Sequence, residues 1–146
     1  MRILNLFLLS IILVFLIINT GYGSVLDGRK WTPVGESPVA MVYIDVSTKK
    51  IGPTFKDNPH VYSTFLKADF IKCHKTGASQ AYCSALYAEL YDCKNMKTLL
   101  VSAFGFRDYN LEGSLMFSFP EKGDKKQVWK ESKGTDKKAL EIFCKH

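Results

Sequence analysis

The four cysteines restrict the possible folds of this chain more than any other feature of its sequence. Cys73, Cys83, Cys93 and Cys144 are an even set, and they follow an N-terminal segment with the pattern of an export signal. Exported proteins meet an oxidising environment, where such cysteines form disulfide bonds. A zinc site is the rival interpretation, but no two of the cysteines are close enough in sequence to form a typical ligand pair. We therefore expect two disulfide bonds and neither a metal nor another cofactor.

Residues 1–23 have the three parts of a secretory signal peptide. A positive charge at Arg2 precedes an apolar run (residues 6–18), and Gly23 supplies a small residue at the cut. The alternative is an uncleaved anchor, but the apolar segment is shorter than the about 20 residues that cross a bilayer comfortably. We expect cleavage, with residues 24–146 forming the mature domain.

The composition is that of one folded, basic domain. The chain has 146 residues, 47% of them hydrophobic and 13% aromatic, which excludes a disordered chain and predicts a single domain. Its 20 basic and 14 acidic residues give a net charge of +6, and Lys125 and Lys126 lie in a lysine-rich C-terminal stretch. Such a patch can contact acidic polymers or anionic lipid. Acidic residues interrupt it, however, so a solvated surface is favoured and nucleic acid is not an expected partner.

The predicted strands decide which cysteines pair. Residues 60–72 and 81–93 are rich in β-branched and aromatic types and flank a polar loop, which predicts a hairpin, although Ala and Leu in the second segment leave a helix as an alternative. In one strand, Cys83 and Cys93 would lie about 33 Å apart, far beyond the about 7 Å that a disulfide allows. Cys73, near the turn, is equally remote from Cys93. The predicted pairs are Cys73–Cys83 and Cys93–Cys144.

The remaining segments predict an α+β fold, in which a single antiparallel sheet of about six strands is packed by a C-terminal helix. Further strands are predicted at residues 31–34, 39–46, 98–109, 114–119 and 128–130. Thr135 is expected to cap the final helix, whose residues Ala139, Leu140 and Phe143 share one face. A helix this short is marginal alone, so the disulfide and the sheet must hold it.

The sequence contains no familiar nucleophile, metal or phosphate-binding motif. His74 is expected to be a solvated loop residue rather than a ligand. Asp45 lies in an apolar strand, where an acid–base role is conceivable, but the favoured interpretation is that it ends the strand and bonds the following turn. Glu89 and Asp92 point to opposite faces of one strand, which argues against a paired-carboxylate glycosidase site there. We therefore predict that the protein is not an enzyme.

Aromatic side chains recur along the predicted strands and give the best indication of a binding surface. Most of them are expected to fill the core, but tyrosines on a sheet face that the helix does not cover can form a binding or dimer surface. Combined with the lysine-rich loop, they predict a candidate surface that comprises Tyr82, Tyr87, Lys125 and Lys126.

A series of short motifs resembles the bacterial surface-adhesin protein E-like family over residues 31–144. In chain order they are Lys30-Trp31-Thr32-Pro33-Val34, Tyr43-Ile44-Asp45, Tyr62-Ser63, Ala88-Glu89-Leu90-Tyr91-Asp92-Cys93, Gly113, Trp129 and Ala139-Leu140-Glu141-Ile142-Phe143-Cys144. The resemblance implies an antiparallel sheet backed by a C-terminal helix, with Cys93 and Cys144 joined. It also implies a cell-envelope protein, since the name-giving member is a host-matrix adhesin that can dimerise.

Two departures from the family pattern affect the functional prediction. No lipid-attachment cysteine follows the apolar run, and the Cys73–Cys83 pair is additional. We predict an exported, non-enzymatic, adhesin-like binding domain, in the periplasm, on the cell surface or secreted, with a protein or host extracellular-matrix partner and the capacity to form a homodimer. The alternatives are a periplasmic or secreted inhibitor, which would present the stapled loop at residues 74–82, and, least favoured, a secreted hydrolase.

Overall fold

Six strands run in chain order through one antiparallel sheet, each hydrogen-bonded to the next. The computed structural model describes residues 29–75, 80–119 and 128–145, so the predicted signal peptide lies outside the described residues. The strands are β1 (Trp31–Glu36), β2 (Ala40–Asp45), β3 (Val61–Lys75), β4 (Ala81–Asp92), β5 (Lys97–Phe106), β6 (Leu115–Phe119) and a short β7 (Lys130–Glu131). Helix α1 (Gly134–Lys145) and two 3-10 turns (Val46–Ile51 and Tyr109–Leu111) complete the described elements. This architecture confirms the predicted fold class.

The long hairpin of β3 and β4 forms the centre of the sheet. Its register runs from Val61 opposite Asp92 to Lys75 opposite Ala81, with an irregularity after Asp69. The helical alternative for the second segment is wrong, because β4 is bonded on both sides, to β3 and to β5. The local ambiguity of Ala and Leu is thus resolved by pairing with two neighbours.

Both predicted disulfides are present. Cys73 and Cys83 bridge the two strands of the hairpin near its turn, with Cα atoms 4.2 Å apart. Cys93, directly after β4, is joined to Cys144 in α1, with Cα atoms 5.5 Å apart. The described residues include no free cysteine, so the strand-length argument predicted the pairing correctly.

The main core lies between α1 and one face of the sheet, which we call the helix face. Ala139, Leu140 and Phe143 of α1 are fully buried there, packed against Ile44, Leu66 and Tyr91. The helix starts earlier than a Thr135 cap requires, because the Lys137 amide donates to the Lys133 carbonyl at 3.4 Å. The Thr135 cap is therefore wrong, and this residue lies in the first turn of the helix.

The opposite face of the sheet is partly covered by the 3-10 turn that follows β5. Leu111 of this turn packs with Leu86 and Phe106 in a smaller core cluster, and its amide donates to the buried Ser84 hydroxyl at 2.9 Å. The Lys67 ammonium also donates to the Asn110 side chain at 3.0 Å. The loop after β5 therefore protects a face that no helix covers.

Asp45 ends β2 as predicted and has a second role that the sequence did not reveal. Its Oδ1 accepts a hydrogen bond from the Ser47 amide at 2.9 Å, which starts the first 3-10 turn. Its Oδ2 forms an ion pair with Arg29 at 2.7 Å, and the Arg29 guanidinium lies 4.1 Å from the centre of the Phe65 ring. Asp45 is therefore a structural residue.

Candidate binding groove

Helix α1 is too short to cover the sheet face on which it packs. Its 12 residues span about 18 Å, whereas the 15 residues of β3 extend over about 50 Å. Beyond the helix N-terminus the sheet carries small side chains, since Ala40, Ala68 and Ala85 lie on three neighbouring strands of the same face. The combination of a short helix and small side chains leaves a cavity of about 880 Å³.

We call this cavity the groove. Its walls come from every strand between β2 and β7 and from the first turn of α1. The apolar lining residues are Val39, Ala40, Val42, Leu66, Ala68, Phe70, Leu100, Phe119 and Val128, and the polar ones are Ser37, Tyr87, Glu89, Thr98, Lys130, Thr135 and Asp136. Concave, mostly apolar sites with a few polar groups are typical of ligand-binding pockets.

A carboxyl group lies in the wall of this largely apolar groove. Strand alternation places Glu89 on the helix face between Tyr87 and Tyr91, since residues two apart in a strand share a face. Among the described residues, neither the buried Oε2 atom of Glu89 nor the Tyr91 hydroxyl has a hydrogen-bond partner. Buried polar atoms are normally hydrogen-bonded, so Glu89 is an unusual residue in this fold.

Burial changes the pKa values of the titratable side chains in the groove. The pKa of Glu89 is raised from 4.5 to about 7, mainly by loss of solvent and also by the negative charge of Asp136, while the neighbouring Tyr91 hydroxyl partly opposes these effects. Burial also raises the pKa of Asp136. The pKa of Tyr87 rises to about 12, again mainly through burial. At neutral pH, Glu89 therefore exchanges between its charged and neutral forms.

Two of the four predicted binding residues lie at or beside the groove. Tyr87 lines the groove, and Tyr82 is adjacent to it, because its ring lies 5.4 Å from the ring of the groove residue Phe70. Both tyrosines are on the helix face, beyond the end of the helix, and not on the opposite face. Lys125 and Lys126 lie outside the described residues.

His74 is not the solvated loop residue that the sequence predicts. It belongs to β3 and is only half exposed, with its ring 4.5 Å from the Phe70 ring and 5.7 Å from the Tyr82 ring. The strand continues further than expected because the Cys73–Cys83 bond holds its end against β4. His74 is therefore part of the aromatic cluster next to the groove.

The proximity of Glu89 and Asp136 in the groove was not predicted. The sequence does contain a signal for Glu89, because the alternation of Tyr87, Glu89 and Tyr91 places a charge on the buried face of a strand. No comparable signal exists for Asp136, which reaches the groove only because α1 packs where it does. The structure thus brings together two carboxyl groups from distant parts of the chain.

The described parts of the chain contain no group of three or more His, Cys, Asp or Glu side chains that could hold a metal ion. They also contain no helix with the length and apolarity needed to span a membrane. Within these residues, the groove is therefore the feature that most resembles a binding site.

An antiparallel meander, one C-terminal helix fixed by a disulfide and a groove beside that helix define a small, disulfide-bonded α+β domain. The family profile described as Surface-adhesin protein E matches residues 31–145, so this chain belongs to the surface-adhesin protein E family. The predicted resemblance is confirmed, and the protein is an adhesin-like surface protein by family. No curated protein matches the chain by sequence.

Several solved structures share the fold at low sequence identity. A structure of Haemophilus influenzae protein E matches with a TM-score of 0.54 and 12% identity, covering 80% of this chain and 92% of that one. A second crystal form matches with a TM-score of 0.55 and 12% identity, over 80% and 95% of the two chains. Protein E from non-typeable Haemophilus influenzae matches with a TM-score of 0.57 and 14% identity, over 82% and 79%. Identities this low establish a common fold and leave the ligand open.

Proposed function

We propose that this chain is an exported, non-enzymatic adhesin that binds a protein or extracellular-matrix component of a host through the groove. Membership of the surface-adhesin protein E family supports the binding role. The signal-peptide pattern of residues 1–23 supports export, with the mature domain formed by residues 24–146. The groove itself is the single observation that carries the proposal.

The groove has an exposed apolar rim, which is what a protein ligand would contact first. Val39 is 52% exposed and Val128 is 62% exposed, and both line the cavity. Contiguous exposed apolar surface at a concave site is a common mark of an interaction surface. A ligand that covered this rim would remove it from water, which supplies the driving force for binding.

The proposal includes the lysine-rich segment of residues 120–127, because the residues that flank it line the groove. Residues 120–127, which include Lys125 and Lys126, connect Phe119 to Val128, and these two flanking residues line the groove. Lysines near a rim speed association with an acidic partner and make binding dependent on salt. We therefore assign the loop to the approach of the ligand and the groove to its retention.

Binding of the oxidised mature protein to solubilised host extracellular matrix, followed by surface plasmon resonance, tests the proposal. Val39→Glu places a charge on the apolar rim and is expected to weaken binding about tenfold. Ile51→Glu is the matched control, because Ile51 is an exposed aliphatic residue (85%) outside the groove, and it should bind like the wild type. Absence of binding, or equal affinities for the two variants, contradicts the proposal.

The capacity to form a homodimer is part of the same proposal and is measured on the same material. Self-association through the groove would bury the rim that the matrix ligand needs, so the two equilibria would compete. Sedimentation of the mature protein with and without the Val39→Glu change separates them. A dimer that Val39→Glu does not weaken would use a different surface.

A further inference from the structure

The groove contains acidic side chains although the protein as a whole is basic. The chain has a net charge of +6, yet the groove contains the carboxyl groups of Glu89 and Asp136. Within the described ranges, the ion pairs join Arg29 to Asp45 and Lys67 to Asp69, and neither groove carboxylate takes part. Lys130 also lines the groove, but its ammonium is paired with neither of them.

Glu89 contributes a carboxyl group to the wall of the groove. Its Oε2 is buried without a hydrogen-bond partner among the described residues, while the residue itself lines the cavity. Leaving a buried acceptor without a partner is unfavourable, and more so when the group is charged. A positively charged donor that entered the groove would satisfy this atom and neutralise its charge.

The apolar walls of the groove favour a cationic ligand that also carries an apolar stem. Val42, Leu66 and Leu100 line the same cavity as Glu89. Lysine and arginine side chains have long methylene stems that pack along apolar surface while the charged end reaches a polar partner. A bare inorganic cation or a short polar amine would leave these walls in contact with water.

We propose that the groove receives a lysine or arginine side chain from an extended segment of the partner protein, with its cationic end on Glu89 and Asp136. This assignment rests on the proposed function, and it specifies the chemistry by which the groove selects its ligand. The stem of the side chain lies against the aliphatic wall, and the peptide on either side of it covers the rim at Val39 and Val128. Within the described residues, no lysine forms an ion pair with these carboxylates.

Binding of such a side chain depends on pH in a defined direction. Glu89 faces Tyr87 and Tyr91 on its own strand, Asp136 on α1 and Lys130 on β7. The tyrosines stay neutral near pH 7, because the pKa of each is raised from its ordinary value. Since a cation binds the ionised carboxylate and the pKa of Glu89 is about 7, affinity should rise from about pH 6 to about pH 8.

Fluorescence anisotropy with short labelled peptides tests the assignment. The peptides have identical apolar flanks and differ only at one central position, which is lysine, arginine, norleucine or glutamate. We expect the lysine and arginine peptides to bind the mature protein about tenfold more tightly than the norleucine peptide. The glutamate peptide should bind most weakly, and the preference for lysine should be larger at about pH 8 than at about pH 6.

Two variants connect the preference to the carboxyl group. Glu89→Gln keeps the shape of the side chain and removes its charge, so the lysine and norleucine peptides should bind with similar affinity at both pH values. Glu112→Gln is the matched control, because Glu112 is exposed on the turn at the opposite face, and it should retain the full preference. Circular dichroism establishes that both variants are folded.

The other possible results distinguish failure of this assignment from failure of the proposed function. Equal binding of lysine and norleucine peptides, or a lysine preference that survives Glu89→Gln, overturns the assignment. Free hexylamine that binds as tightly as the lysine peptide would indicate a small-amine site and also overturn it. If matrix binding depends on Val39 but no lysine preference exists, the adhesin proposal stands and only this inference fails. If lysine peptides bind and matrix does not, the adhesin proposal fails instead.

Discussion

Glu89 reduces the stability of the folded protein at neutral pH, and its proposed role is in ligand binding. A carboxyl group that loses solvent is stabilised in its neutral form, so its charge opposes folding at neutral pH. A glutamine or an apolar residue at this position would avoid that penalty. A carboxyl group in the wall of an apolar groove therefore does not serve folding at neutral pH, and it agrees with the proposed binding role.

The Glu89→Gln variant should show this penalty directly. The pKa of Glu89 rises from 4.5 in an exposed chain to about 7 in the folded protein, so the folded state binds the proton more tightly. The stability that the neutral form supplies is complete below about pH 4.5 and is lost as the pH rises to about 7. Glu89→Gln should therefore be more stable than the wild type at about pH 8, by up to about 3 kcal/mol.

Urea denaturation of both proteins at about pH 5 and about pH 8 measures this difference. The gap between the two free energies of unfolding should be small at the lower pH and widen at the higher one. Glu112→Gln should follow the wild type at both values. A gap that does not change with pH would mean that Glu89 titrates in the folded protein as it does in an exposed chain.

Individual residues were predictable where their role is local. Asp45 could be assigned to the turn after β2, because the Ser47 amide that it accepts from is two residues away. The Arg29 ion pair of Asp45 and the proximity of Asp136 to Glu89 were not predictable. Both involve residues that are distant in sequence, and the local sequence pattern does not indicate which distant residue will lie nearby in the fold.

At the scale of elements, helix α1 depends on contacts outside itself. Twelve residues are marginal for an isolated helix in water. Its C-terminal end is held by Lys49, whose ammonium donates to the carbonyls of Phe143 at 3.1 Å and Cys144 at 2.8 Å. A cation at this end also interacts favourably with the helix dipole. The 3-10 turn after β2 therefore acts as the cap of a helix that lies far along the chain.

Lys49→Met should destabilise the protein by about 1–2 kcal/mol, because two charge-assisted hydrogen bonds to the helix end are lost while the aliphatic stem is kept. Thermal unfolding followed by circular dichroism measures the effect. Lys50→Met is the control, since Lys50 is the exposed neighbour in the same turn, and its melting temperature should be that of the wild type. Equal melting temperatures for the two variants would show that Lys49 does not cap the helix.

Elements were predicted better than their ends. Enrichment in β-branched and aromatic residues identified β3 and β4, and the distance that a strand spans predicted both disulfides. The end of β3 was predicted too early, at residue 72 instead of Lys75, because the disulfide extends pairing into polar sequence. The start of α1 was misplaced because it is set by the Lys133 carbonyl, whose backbone geometry has no sequence signature.

For the whole molecule, the sequence predicted the architecture but not the groove. Sheet, helix and disulfides follow from strand patterns and cysteine positions. The groove arises from a mismatch between the length of α1 and that of the sheet below it, and from alanines that meet only when three strands align. A cavity of this kind belongs to the assembled fold, so no single segment of the sequence encodes it.

The two disulfides should contribute unequally to global stability. The Cys93–Cys144 bond closes a separation of 51 residues and the Cys73–Cys83 bond one of 10 residues. Chain entropy alone predicts about 4 kcal/mol for the longer loop and about 3 kcal/mol for the shorter one. The Cys93–Cys144 bond also holds α1 against the main core. Its loss should therefore lower the stability of the protein more than loss of the Cys73–Cys83 bond.

Double alanine variants of each pair, compared by thermal unfolding, test this order. Cys93→Ala with Cys144→Ala should lower the melting temperature more than Cys73→Ala with Cys83→Ala. Reduction of the wild-type protein should give a melting temperature below that of either variant. Equal melting temperatures for the two variants would mean that α1 stays docked without its covalent link.

The positions of the two disulfide bonds also have a mechanical consequence. Cys83 lies near the start of β4 and Cys93 directly follows its end, so the central strand is covalently fastened near both limits. When the two chain ends are pulled apart, tension passes from Cys144 straight into Cys93, and the residues between them carry none of the load. Most of helix α1 and the wall of the groove at β5 and β6 are therefore shielded from stretching while both disulfide bonds are intact.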